Sequence, residues 1–297
     1  MREISWSGES AVEITGGGLR MIVVPGRGGK IVSLRDGAGT EWLLGPPDPL
    51  PSPARPADDG TGPDFVGAEL CGWDECAPTI VAGRLPDGTE LPDHGELWTA
   101  EADLITGVPA DGAAIEITGR ALPYRFRRAV RPAGSGLRLH YRVTAEGAAV
   151  PFLWAAHPQF LAPPGTRVEL PATVDRVIDV HPGPATERSW DEAAAVIDTV
   201  PEGTGRKFYL PPDRPVGTVG LRRPDGRVLR LDWDPATVPY LGLWYDRRAF
   251  ARSDVIALEP ATGYYDALPR ALAAGRLPVI PAGGTLEWML RLTTGPI

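Results

Sequence analysis

Short runs in which apolar and polar residues alternate recur about every ten positions along the chain, the period-2 signature of half-buried strands. They read LRMIVVP at 19–25, KIVSLRD at 30–36, AAIEITGR at 113–120, YRFRRAVRP at 124–132, LRLHYRVTA at 137–145, VPFLWAAHPQF at 150–160, VLRLDW at 228–233 and TLEWMLRLTT at 285–294. Turn signals such as GRGG, DGAG, PDG, AGSG and PAGG separate them. Helical signals are confined to two short stretches: SWDEAAAV at 189–196, with Ser189 as its cap, and YDALPRALAAG at 265–275, closed by a glycine. With no repeat period, the pattern predicts an all-β chain, a large antiparallel sandwich with decorated loops and a few short helices. The proline-dense stretch 45–64 reads as an extended surface loop and not a linker, so 1–297 reads as a single domain.

Parity within a strand tells which residues share a surface. In DVIALEP, Ile256 and Leu258 take one face, and Val255, Ala257 and Glu259 the other. In PFLWAAHPQF, Phe152 and Trp154 oppose Leu153, Ala155, His157 and Gln159. In PYLGLWYD, Leu241 and Leu243 oppose Tyr240, Gly242 and Trp244. Each strand thus offers one bulky face for a core and one face of small, polar or aromatic residues for a ligand.

Composition narrows the partners. Apolar residues make up 43% and charged residues 23%, the balance of a folding chain, and the net charge of −8 with no basic run excludes a nucleic-acid backbone as partner. No stretch approaches the roughly 18 apolar residues of a membrane span, and the first residues lack a basic-then-apolar signal. A cytoplasmic protein without a membrane partner is expected. Cys71 and Cys76 are the only cysteines and read as free thiols. Only Lys30 and Lys207 are lysines among 30 basic side chains, which reads as compositional drift.

Candidate chemistry begins in CGWDECAPTIVAGRLPDGTELPDHGELW at 71–98, which carries Trp73, Asp74, Glu75, His94 and Trp98 in a loop-like run. His157 and Glu259 answer it from later strands, and the three ionisable groups His94, His157 and Glu259 are expected to line one open concave surface. The His157 ring and the Glu259 carboxylate should stand about 5 to 9 Å apart, as groups flanking a sugar ring do. Competing readings are plain: histidines near strand ends are often surface or satisfied core residues, as His140 and His181 are on this reading, and Trp73, Trp98, Trp154 and Trp244 are all candidates for core packing. No HExxH, G-x-S-x-G, GxGxxG or P-loop pattern is present, so metal, serine-nucleophile and phosphate-cradle classes lack their signatures.

The ordered set His94-Gly95, then His157 ahead of Phe160, then Leu258-Glu259-Pro260 resembles the aldose 1-epimerase, or galactose mutarotase-like, family. GGKIVSL, PYRFRRAV and the closing PAGGTLEWML extend the likeness over essentially the whole chain. The resemblance implies a β-supersandwich and interconversion of the α and β anomers of a free sugar, without cofactor or metal. It implies Glu259 as general base, His157 as a general acid that starts protonated, and His94 as a second histidine hydrogen-bonding the sugar. Where the family has an asparagine-arginine pair this chain has GWDECAPT, so Trp73, Asp74 or Glu75 would contact the sugar there. Gln159 would join Asp74 on its hydroxyls, and Trp73 and Trp244 would offer it a flat surface. The partner is then a small sugar, and the chain a monomer or homodimer. A non-catalytic carbohydrate-binding protein on the same scaffold, or another carbohydrate isomerase or lyase, stays open as an alternative.

Overall fold

The alternation is realised as two large antiparallel sheets in the structure, a computed structural model that describes residues 1–56, 62–105 and 112–295. Among the described residues, a 12-stranded sheet runs in the order Arg2–Trp6, Glu9–Gly16, Leu19–Val24, Lys30–Arg35, Trp73–Cys76, Ala155–Pro158, Asp254–Ala261, Tyr240–Arg247, Gly205–Tyr209, Arg176–His181 and Thr186–Ser189. Its twelfth strand, Phe160–Leu161, also pairs with Asp254–Ala261. The 8-stranded sheet runs Arg167–Glu169, Thr218–Arg222, Val228–Trp233, Thr285–Thr294, Gly136–Ala145, Tyr124–Ala133, Ala113–Thr118 and Asp103–Ile105.

Every alternating run identified in the sequence contributes to a strand, with one break. VPFLWAAHPQF is three short pieces, Val150–Pro151, Ala155–Pro158 and Phe160–Leu161. Between the first two, the amides of Phe152 and Trp154 leave the ladder for Pro278 O and Thr262 Oγ1. Part of the predicted loop 45–64 lies outside the described residues. Its end runs into a helix that the sequence reading lacks, Phe65–Glu69, capped by Asp64, whose carboxylate accepts from the amides of Val66 and Gly67. Five residues are too few to show a helical period. The two predicted helices are present as Glu192–Ala195 and Leu268–Ala273, the first capped by Asp191 and not by Ser189.

One apolar layer between the sheets holds Trp73, Phe160, Leu241, Leu243, Ile256 and Leu258 from the larger sheet, with Trp154 from the connection before Ala155–Pro158, against Phe126, Tyr141, Trp288 and Leu290 from the smaller. Tyr141 and Trp288 stack with ring centroids 5.2 Å apart. A charge sits in this layer. Glu75 reaches across it to Arg128, Nη1 to Oε1 2.7 Å, and accepts further hydrogen bonds from Tyr141 Oη at 3.1 Å and Trp154 Nε1 at 2.7 Å. The side chains of the pair are 0% and 1% exposed, and with Arg128 otherwise held, among the described residues, only by the Gly29 carbonyl, each charge is compensated chiefly by the other. Glu75→Ala should therefore cost about 3–5 kcal/mol of stability, because it strands the Arg128 cation between the sheets. Urea unfolding of the two proteins checks this, and a loss below about 1 kcal/mol would show that Arg128 finds other partners.

Candidate active site

Register, more than parity, builds the site. Ala155 lies opposite Ala261 and Phe160 opposite Ile256, so His157 falls opposite Glu259 on the neighbouring strand. On its other side His157 pairs with Asp74, while Glu259 pairs with Gly242 and Gly242 with Tyr209. Asp74, His157, Glu259, Gly242 and Tyr209 thus form one transverse row across five adjacent strands, on the sheet face away from the smaller sheet. Cross-strand neighbours approach to about 5 Å at Cβ, and the functional atoms are closer still: His157 Nε2 is 3.9 Å from Glu259 Oε1. The expected separation of 5 to 9 Å is too long, because it treats the two groups as flanking a ligand when they are side-by-side rungs of the sheet.

The face is not the open surface expected, for His157 and Glu259 are 6% and 1% exposed. They form part of the wall of a cavity of about 340 Å³, at the small end of the range for ligand pockets. Gln159 Nε2 is 3.0 Å from His157 Nδ1. With the amide donating there, the neutral ring carries its proton on Nε2, toward Glu259. Glu259 Oε1 is buried without a hydrogen-bond partner, and Oε2 is held by Lys207 Nζ. Gly242 makes that contact possible: a Cβ there would stand 2.9 Å from Glu259 Oε2 and 3.4 Å from Lys207 Cε. Lys207 also lies 3.4 Å from Asp266 Oδ1, which accepts from Tyr209 Oη.

Loops supply the opposite wall. His94 adopts a left-handed backbone, φ 56°, and its Nδ1 lies 2.7 Å from Asp93 Oδ2. Its ring stacks flat on Phe65 with centroids 3.9 Å apart and meets His157 edge-on at 5.2 Å. The helix bearing Phe65 is fixed from below by Glu69, paired with Arg27 at 2.8 Å, and by Lys30, which donates to the carbonyls of Glu69 and Cys71. Trp244 lines the cavity beside Phe250 and His181.

The expected trio of His94, His157 and Glu259 is therefore brought together, with Gln159 and Trp244. Three other candidates are placed elsewhere. Trp73 is fully buried in the apolar layer against Phe160, and Glu75 is committed to Arg128. Asp74 faces the site side but sits under it, bound to Lys30 at 2.5 Å. Alternation forbids three consecutive strand residues from meeting one ligand. Lys207, Asp266, Phe65 and Phe250 line the cavity without having been anticipated; His181 is exposed, in keeping with its reading as a surface residue, and also lines the cavity. The signal for Lys207 was its rarity, since only two of 30 basic side chains are lysine.

Burial dominates the electrostatics. It pushes the His157 pKa well below the usual histidine range, with His94, Lys207 and Lys30 adding to the effect, so the ring is neutral near pH 7. The expectation that it starts protonated is not met. Burial raises the Glu259 carboxyl above the usual range, against the opposing pull of Lys207. Burial also lifts Asp74 to about 6 despite Lys30. Lys207 is held above the ordinary lysine value because Asp266 and Glu259 outweigh its own burial. Among the described residues, no group of three or more His, Cys, Asp or Glu side chains is arranged to hold a metal ion, and no helix is long and apolar enough to cross a membrane.

No family model matches the chain, and no curated protein matches it. Solved structures do. The Slr1438 protein from Synechocystis sp. PCC 6803 superposes with a TM-score of 0.73 at 16% identity, covering 99% of both chains. A galactose mutarotase-like protein from Clostridium acetobutylicum gives 0.71 at 15%, covering 100% of this chain and 98% of its own. Another from Lactobacillus casei ATCC 334 gives 0.69 at 16%, covering 96% and 100%. The chain has the galactose mutarotase-like β-sandwich fold.

The neutral His157 has a consequence for stability. A histidine with a depressed folded-state pKa contributes stability that is present above its unfolded value near 6.5 and is lost as pH falls through the folded value. Stability should therefore fall below pH 6.5, with a limiting slope of about 1.4 kcal/mol per pH unit from this one group. In His157→Asn that component should vanish. Unfolding free energies of both proteins measured between pH 5 and pH 8 check it, and parallel curves would mean that His157 titrates normally.

Proposed function

We propose that the chain is an aldose 1-epimerase-like isomerase that exchanges the anomers of a free sugar by opening and reclosing its ring. The observation that supports this best is the directly opposed pair His157 and Glu259, with an unpartnered carboxylate oxygen and an imidazole Nε2 at one cavity wall. Opening a cyclic hemiacetal requires a base at the anomeric hydroxyl and a donor at the ring oxygen. Glu259 Oε1 takes the hydroxyl proton as the bond from the anomeric carbon to the ring oxygen breaks, and the His157 Nε2–H hydrogen-bonds the departing oxygen. Rotation about the first carbon-carbon bond then lets the ring close on the other face. Phe65, Trp244 and Phe250 offer apolar surfaces to the sugar's CH groups, and His94 a ring nitrogen to a hydroxyl. The shared fold is consistent with this reading, although the same sandwich serves other chemistry.

The neutral state of His157 favours one rival, a non-catalytic sugar-binding protein, because it removes the strong acid from the reading. Anomer exchange by NMR across a panel of free and phosphorylated aldoses separates the two. Exchange is expected in the wild type and should drop by roughly 10²- to 10⁴-fold in Glu259→Gln with sugar affinity changed only a few-fold. The base must be ionised, and its pKa is raised, so the wild-type rate should fall with acid already above the ordinary glutamate range. Undiminished exchange in Glu259→Gln removes the base, and tight binding with no exchange in the wild type makes the chain a binder.

A further inference from the structure

We infer that Lys207 is the proton donor of this pocket, delivering a proton from Nζ to the ring oxygen while Glu259 removes one from the anomeric hydroxyl. The inference rests on the epimerase reading and deepens it. Three observations on the molecule carry it.

The first is position. Lys207 stands opposite Trp244, one rung along from Gly242, and reaches diagonally over that glycine to Glu259 Oε2 at the cavity wall. Base and donor are therefore adjacent, as the adjacent hydroxyl and ring oxygen of a hemiacetal demand. Glu259 accepts a hydrogen bond from Nζ and Asp266 pairs with it at 3.4 Å, so even if both take an N–H a third is left for a ligand.

The second is residue type. All basic side chains but two are arginines, and both lysines are buried in this region. Their settings differ. Lys30 is enclosed, and its ammonium is used up by Asp74 and the carbonyls of Glu69 and Cys71. Lys207 faces the cavity and has a donor to spare. A guanidinium would pair with Glu259 in a firmer fork but cannot surrender a proton, whereas an ammonium can.

The third is that the histidine directly opposite Glu259 cannot serve as the acid. His157 is neutral and offers a hydrogen bond only, and Lys207 keeps its charge because two carboxylates hold it. A proton so held moves only to a stronger base, and the alkoxide leaving the anomeric carbon is one. The step balances: the anomeric O–H proton goes to Glu259, the carbon–oxygen bond breaks, a carbonyl forms, and the ring oxygen takes a proton from Lys207. Glu259 is then a neutral acid and Lys207 a neutral amine in direct contact. The proton passes from one to the other and resets the pair, or ring closure on the other face runs the transfers backwards.

Lys207→Arg, Lys207→Met and Lys207→Ala are compared with wild type by NMR anomer exchange on the aldose that the wild type turns over fastest, with sugar affinity and melting temperature measured alongside. Lys207→Arg should lose roughly 10²- to 10⁴-fold in rate although the charge is kept, with affinity within a few-fold. Methylammonium added to Lys207→Ala should restore exchange, and guanidinium should not. Should arginine or alanine fail to fold, the near-isosteric methionine variant decides: binding without exchange supports the donor, and exchange retained overturns it. Lys207→Arg within about threefold of wild type also overturns it, leaving Lys207 as an electrostatic support for Glu259. A wild type that exchanges no anomers overturns both this inference and the epimerase reading, whereas an active wild type with an active arginine variant overturns this one alone.

Discussion

A carboxylate buried in a β-sandwich must find a cation or a set of N–H donors or become neutral, and the first of these solutions recurs on both faces of the larger sheet. Glu75 meets Arg128 between the sheets, Glu69 meets Arg27 beneath the short helix, Asp74 meets Lys30, and Glu259 meets Lys207. Desolvation costs several kcal/mol per ion, and mutual attraction repays it only where geometry is good and remaining lone pairs are satisfied. Glu75 meets that standard, with Arg128, Tyr141 and Trp154 all donating to it. Glu259 does not: one of its oxygens has no partner, and the imbalance lies where a ligand hydroxyl would enter.

The consequences for the site follow from the strand spacing. Because Glu259 and His157 are cross-strand neighbours, burial acts on both at once and in opposite senses of charge, raising the acid and depressing the base toward neutrality. Lys207 counters the first and reinforces the second. Charge on the sheet side of the pocket is thus concentrated in the Lys207–Glu259 ion pair with Asp266 beside it, and His157 serves as a polar, uncharged rung.

Much of the fold was legible in the alternation of side chains. Strand parity placed Ile256, Leu258, Leu241 and Leu243 in the core and Glu259 and Trp244 on the other face, as found. Register was not legible, since it depends on pairings between segments about 100 residues apart, and so the separation of His157 and Glu259 was misjudged. The same parity, applied to WDEC, would have kept Trp73 and Glu75 out of the pocket, but that stretch reads as loop because prolines and glycines crowd it. The strand Gly205–Tyr209 shows too few residues to declare a period, and Lys207 went with it. Phe65 was hidden in a helix of five residues.

The transverse row sets its own ruler. Distances among Asp74, His157, Glu259 and Tyr209 follow from backbone hydrogen bonding between strands, not from how loops happen to pack. The groups that would read a ligand's outline, Phe65, His94 and Phe250, come instead from connections that the ladder does not constrain. Such a division makes the scaffold modular: a loop can be lengthened, exchanged or grafted to suit a different guest while the reacting groups beneath keep their spacing.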